Sequence, residues 1–158
     1  MNSQEFDSLI KKDKYQVFIF TSLCSLPLFF AGHPWFVVNE KGIISRWEVL
    51  HIKNYSQENW GHLHKDFFPS WRGLEMLWGF SDFHWGSKLL SVLEGEENSL
   101  VAMMVKFIEK SPENYPYCAK YSFLGANSDT YVQWILDNFP ELKIKLPWNC
   151  FGKNYKEK

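Results

Sequence analysis

Three cysteines in 158 residues are an odd number at wide spacing, which excludes a disulfide framework. Cys24, Cys118 and Cys150 also form no Cys-x-x-Cys pair, so no zinc knuckle or dithiol redox motif is written into the chain. Reduced thiols in a cytoplasmic protein are the expectation. An excess of charge of one sign is lacking as well: 17 Lys and Arg face 18 Asp and Glu, a formal net charge of −1. Such a balance offers no field for a polyanion, so nucleic acid is not an expected partner. Walker loops, internal repeats, heptads and low-complexity tracts are missing too, and no cofactor is expected. His62 and His64 make an H-x-H pair, but two imidazoles without further Cys, His or carboxylate ligands rarely hold zinc, and no metal is expected.

What the chain does have is aromatic bulk. Apolar residues make up 46%, with 14 Phe, 8 Trp and 7 Tyr, so the chain must fold around a substantial core, and its length suits one domain. The run "VFIFTSLCSLPLFFAGHPWFVV", Val17 to Val38, carries no formal charge and follows Lys11, Lys12 and Lys14. That pattern raises the alternative of a membrane anchor or export signal. Pro27 and Pro34 interrupt the run, Gly32 and His33 sit inside it, and β-branched and aromatic clusters lie at both ends, so it reads as two strands around a turn. A membrane is not an expected partner on this reading.

Residues 1–14 are polar and predict a short helix or a loose arm. "YQVFIFTS" and "HPWFVVN" predict strands, and Gly42 joins the second of these to "IISRWEVLHI" as a hairpin. Residues 51–84, rich in Trp, His, Phe and Gly without a period, predict a long irregular insertion with short helices. "WGSKLLSVLEGE" predicts a further strand, and "ENSLVAMMVKFIEKSPE" a helix capped by Asn98 or Ser99 and ended before Pro112. "YPYCAKYSFLG" and "LKIKLP" are read as two more strands. The fold class expected is α+β, an antiparallel sheet with packed helices in a single domain.

Between those last two segments lies "GANSDTYVQWILDNFP", residues 125 to 140. Tyr131, Val132, Ile135, Leu136 and Phe139 recur at helical spacing, and Pro140 stops the helix. Asn127 or Ser128 can supply the N-cap oxygen. The sharper reading makes Ser128 a reactive group, since the positive end of the helix stabilises a developing anion. A base is then required. His33 at the start of one strand and Glu48 near the end of its partner share one edge of a hairpin, where an imidazole and a carboxylate can approach.

"HPWFVVNEKGIISRWEV", "YPYCAKYSFLGANSDTYVQWIL", "FPELKIKLP" and the terminal "FGKNY" resemble the bacterial domain-of-unknown-function family 3750, over about His33 to Tyr155. Its members read approximately H-S-W-I-V-V, G-P-N-S-N-T-F and I-G-K-D-Y. Here Ala126 stands for the Pro, Asp129 for the second Asn and Tyr131 for the Phe. A histidine at a strand start followed later by a helix-opening nucleophile is also similar to circularly permuted papain-like proteins of the NlpC type, desumoylating isopeptidases and lecithin–retinol acyltransferase-like enzymes. That resemblance implies His33 as the base and puts Ser128 where those proteins carry a cysteine thiol.

Two functions are expected from different classes. In the first, the chain is a hydrolase or acyltransferase acting on an amide or ester: Ser128 is the nucleophile, His33 the general base and Glu48 its orienter. The N–H groups of Ser128 and Asp129 form the oxyanion hole, and Asn127, Asp129 and Trp35 contact substrate. Asp129 opposes this chemistry, because a carboxylate beside Ser128 disfavours an alkoxide. In the second, the scaffold is catalytically inert and holds a small molecule or peptide, through the same cleft or through the aromatic stretch from Trp60 to Trp85.

Overall fold

Lys41 and Gly42, both at positive φ (49° and 98°), form the tight turn that sets the register of the sheet. Two consecutive left-handed residues give a turn whose twist matches the strands it joins, and a glycine at the second position adopts it without strain. In the computed structural model, which describes residues 1–54 and 57–156, this turn links Gly32–Glu40 (β2) to Ile43–Val49 (β3). Tyr15–Leu23 (β1) lies on the other side of β2, and Lys88–Gly95 (β6) pairs with β1. Asn59–Trp60 (β4) and Leu63–Lys65 (β5) extend the opposite edge, giving one six-stranded antiparallel sheet in the order β4-β5-β3-β2-β1-β6.

Alternation along the strands builds two cores. Val17, Ile19, Phe36, Val38, Trp47 and Val49 point to one face and pack with Leu100–Glu109 (α2) and Ser128–Asp137 (α4). Phe18, Phe20, Trp35 and Val37 point to the other, where Phe6 of the short helix Ser3–Asp7 (α1) closes over them. The first eight residues of both β1 and β2 are therefore buried, which explains why the strand portions of the segment from 17 to 38 carry no formal charge; the loop between them is largely exposed. No described helix is long and apolar enough to cross a membrane. Each such side chain removed from water contributes about 1.5–3 kcal/mol.

Ser99 caps α2 by accepting from the Ala102 N–H, and a separate turn of helix, Ser111–Asn114 (α3), follows with Pro112 in its first turn. The expected short helices of 51–84 do not form among the described residues; residues 55 and 56 of that stretch lie outside them. Two short strands and irregular turns take their place.

Two expected strands are corrected. Residues 115–125 run as turns, because they meet the sheet at the β4–β5 turn and not along a strand: Cys118 C=O accepts the His62 N–H at 2.7 Å, and Gly61 closes on the same carbonyl. The alternation of "LKIKLP" has another cause: Leu142, Ile144 and Leu146 pack on the helical core without any ladder, and Lys143 turns the chain at φ 54°.

Candidate functional site

Arg46, Glu48 and His33 stand on the face of the sheet opposite α4. Glu48 Oε2 lies 3.0 Å from His33 Nε2 and accepts from Arg46 Nη2 at 2.7 Å, while Arg46 Nε approaches Oε1 at 2.7 Å. The guanidinium sits between the Trp35 ring, 4.2 Å from its centroid, and Phe68, and its Nη1 donates to the Pro69 and Arg72 carbonyls. All three ionisable side chains are buried.

Burial alone would raise the Glu48 pKa, yet Arg46 and His33 together hold it below the ordinary carboxylate value. Burial pushes the His33 pKa down, against the pull of Glu48. A neutral imidazole facing an ionised carboxylate donates its Nε2–H, which leaves Nδ1 as the basic atom. Arg46 was not singled out from the sequence. Its signal was there, a charge two residues before Glu48 on the same strand face inside an apolar run.

At the helix end the two cap candidates separate. Asn127 takes the cap: its Oδ1 accepts from Asp129 N at 3.0 Å and Thr130 N at 3.3 Å, and its Nδ2 donates to the Phe123 carbonyl at 3.0 Å. Those bonds occupy the side chain expected to contact substrate, and they also remove the Asp129 N–H from the expected oxyanion hole. Ser128 is the first helical residue, and its hydroxyl makes no hydrogen bond among the described residues. Gly152 approaches so closely that a Cβ there would meet Asn127 Oδ1 at 2.1 Å; its N–H donates to Asp129 Oδ2 at 2.9 Å, and Thr130 Oγ1 donates to its carbonyl.

Asp129 is itself buried. Its Oδ1 is without a well-directed hydrogen bond among the described residues, although the Cys150 thiol lies beside the carboxylate. Burial raises its pKa to about 6, with Gly152, Cys150 and Lys153 opposing the shift.

His33 and Ser128 are not joined by a hydrogen bond among the described residues, and strand alternation explains why. His33 stacks against Trp35 on one face, whereas Phe36, on the other, packs against Tyr131 of α4. The two groups approach each other only around the end of the sheet. There His33 lines a cavity of about 270 Å³ with Cys24, His51, Trp78, Tyr121 and Phe123, and Ser128 lines an adjoining crevice. Cys24, Tyr121 and Phe123 wall both. Burial and Asp129 push the Cys24 thiol up to about 12, so it is no preformed thiolate, and burial likewise lifts Tyr121 to about 12. Trp35, expected at the substrate, is sealed in the core with its Nε1 donating to Ser70 C=O at 3.0 Å.

His62 Nδ1 and His64 Nε2 are bonded to the Leu50 and Ile52 carbonyls, so this pair secures the end of β3 to β5. The stretch from Trp60 to Trp85 divides between core and surface. Leu63, Phe68 and Leu74 are buried and Trp85 Nε1 donates to Cys24 C=O, whereas Trp60, although stacked on Trp47, is exposed, as are Phe80 and Phe83.

The clustering of His33, Asn127–Ser128 and Gly152 at one end of the sheet joins the segments that carried the family resemblance. Residues 14–155 match the family described as "Protein of unknown function (DUF3750)". The chain belongs to that family. The match adds β1 to the region from His33 onward, so the strand that carries Cys24 at its end is part of the family's domain. No curated protein and no solved structure matches the chain.

Proposed function

We propose that this DUF3750 domain has a permuted papain-like scaffold and acts as a hydrolase or acyltransferase on an amide or ester bound at the end of the sheet. One observation carries the reading: a buried imidazole, fixed at Nε2 by an ionised carboxylate, lines a cavity adjoining the crevice of an unbonded serine hydroxyl at a helix N-terminus. In the proposed step Ser128 Oγ attacks the carbonyl carbon and its proton passes to His33 Nδ1. Collapse of the tetrahedral adduct transfers that proton to the departing amine or alcohol, and water or a second nucleophile releases the acyl group. Glu48 holds the imidazole in orientation and stabilises its charged form, and Arg46 holds Glu48. The Ser128 N–H and the α4 terminus face the developing oxyanion.

A fluorophosphonate probe tests this: Ser128 becomes labelled, and both Ser128→Ala and His33→Ala abolish the label. Unlabelled wild-type protein across about pH 6 to 9 would rule the mechanism out.

The second reading, an inert cleft that holds a small molecule or peptide, is favoured by the buried Asp129 carboxylate beside Ser128 and by the opposite faces of His33 and Ser128. It expects no label, together with a rise in melting temperature on adding an amide-bearing small molecule or peptide. Tyr121→Ala, in the shared wall, removes that rise; a panel that shifts nothing argues against this reading.

A further inference from the structure

We infer that the end of the sheet bearing the cleft is a docking face for an anionic lipid surface. The inference is independent of the proposed chemistry, because it concerns what the rim touches and not what the cleft does.

The rim carries most of the exposed apolar bulk of the molecule. Leu26, Phe29 and Phe30 come from the β1–β2 loop, which is tied by Leu26 N–H to the Met76 carbonyl of the loop bearing Phe80 and Phe83. Phe30 also meets Phe123 and Phe151, and Phe151 meets Trp148. Leu124 and Trp148 are each 80% exposed. Phe123 apart, these side chains are between 44% and 80% exposed and together leave on the order of 700 Å² of apolar surface in water, from about 150–250 Å² per aromatic.

Charge decides the occupant. Lys11, Lys14, Lys41 and Lys106 pair with Glu94, Glu96 and Glu97 near the opposite end of the sheet. At the aromatic end, Lys88 shares a cavity with Trp148, whereas Asp82 is exposed beside Phe83; Lys145, Lys153 and Lys156, from the segment that carries Trp148 and Phe151, line a flanking cavity along the C-terminal half of α4 with Gln133 and Asp137. Lys88, Lys143, Lys145 and Lys156 are exposed and pair with no carboxylate among the described residues. Lys153 Nζ bonds the Leu146 and Pro147 carbonyls, which holds the basic segment against the base of Trp148. Residues 142–156 contain four lysines and no acid. Protein–protein interfaces are depleted in lysine. Aromatic side chains on several separate loops, flanked on the Trp148 side by unpaired lysines, match instead the headgroup boundary of an anionic bilayer. The open side of the cleft would then face the lipid.

Vesicle co-sedimentation tests this with phosphatidylcholine alone and with roughly 30% phosphatidylglycerol, at about 0.05 M and 0.5 M salt. The expected result is binding to the anionic vesicles only, weakened by salt. Lys88→Glu and Lys145→Glu each lower it about fivefold or more, and Trp148→Ala with Phe29→Ser lowers it more than tenfold. Ile43→Ser and Met103→Ser, at exposed apolar residues elsewhere, leave it unchanged. Unaltered circular dichroism identifies the variants that remain folded. No binding to either vesicle, equal binding to both, or a dimer abolished by Trp148→Ala without vesicle binding would overturn the inference. Serine labelling is read separately, so neither result decides the other.

Discussion

Asp129→Asn separates the cost of a buried charge from the geometry that holds it. The carboxyl pKa rises from 3.8 to about 6 because the group is buried. The folded state therefore binds this proton more tightly than the unfolded chain does. That preference stabilises the fold below pH 3.8, is lost as pH rises through about 6, and is gone above it. A shift of this size is worth about 3 kcal/mol. The positive end of α4 favours the ionised form by about 0.3–1 kcal/mol, so the expected net effect is about 2–3 kcal/mol.

Asparagine keeps an acceptor for the Gly152 N–H and does not titrate. The stability of Asp129→Asn relative to wild type should therefore increase by about 2–3 kcal/mol between roughly pH 4 and pH 7, measured by denaturant unfolding at steps of pH. A stability difference that stays flat across that range would show that the carboxylate is solvated or paired and that burial has been misjudged. The same substitution should ease fluorophosphonate labelling of Ser128 at neutral pH, since it removes a negative charge beside the hydroxyl.

Three further outcomes are expected. Arg46→Met strands the Glu48 carboxylate in the interior and should cost about 3–5 kcal/mol, with the His33 imidazole titrating at higher pH by NMR; an unchanged titration would disconnect Arg46 from the imidazole. Gly152→Ala forces a Cβ into Asn127 Oδ1 and should cost at least about 1–2 kcal/mol in thermal or denaturant unfolding, since the cap and the Gly152 backbone cannot both stay in place; full wild-type stability would refute the contact. Cys24, with its thiol pushed up to about 12, should react with iodoacetamide at about pH 7.5 at least roughly tenfold more slowly than in the unfolded chain, and faster in Asp129→Asn; prompt alkylation would contradict the shift.

Much of this fold is legible because burial leaves a period in the sequence. Two-sided burial gives β1 and β2 their uncharged runs, the 41–42 turn shows in Gly42, and four apolar positions mark the inner face of α4, with Phe139 just past its end. Where the chain packs without a ladder the same signals mislead. Residues 142–146 alternate because every second side chain meets the helices, and residues 115–125 look extended although they meet the sheet only at the β4–β5 turn and not along a strand among the described residues. The pairing of His33 with Glu48 follows from hairpin geometry. The side of the sheet on which they stand follows from counting parity against Trp35 and Phe36, and that count separates His33 from Ser128. Nothing local reveals that Gly152 locks Asn127 into the cap, because that contact spans 25 residues and depends on how the terminal segment folds back.

On the proposed mechanism the Arg46–Glu48–His33 group serves function more than stability. A buried ion pair is commonly no more stabilising than well-packed apolar residues of the same volume, because desolvating two charges offsets their attraction. Trp35, Phe68 and Phe20 already supply an apolar environment in which such residues would fit. What apolar side chains would not supply is a fixed Nε2–H donor geometry and a basic Nδ1 at the end of the sheet. The ordering also runs in one direction: the Pro69 and Arg72 carbonyls hold Arg46, Arg46 holds Glu48, and Glu48 holds the imidazole beside the cavity. A chain of contacts that ends on one ring at a cavity wall is the arrangement expected of a positioned base, and it supports an acid–base role for His33 more directly than it supports Ser128 as the group His33 serves.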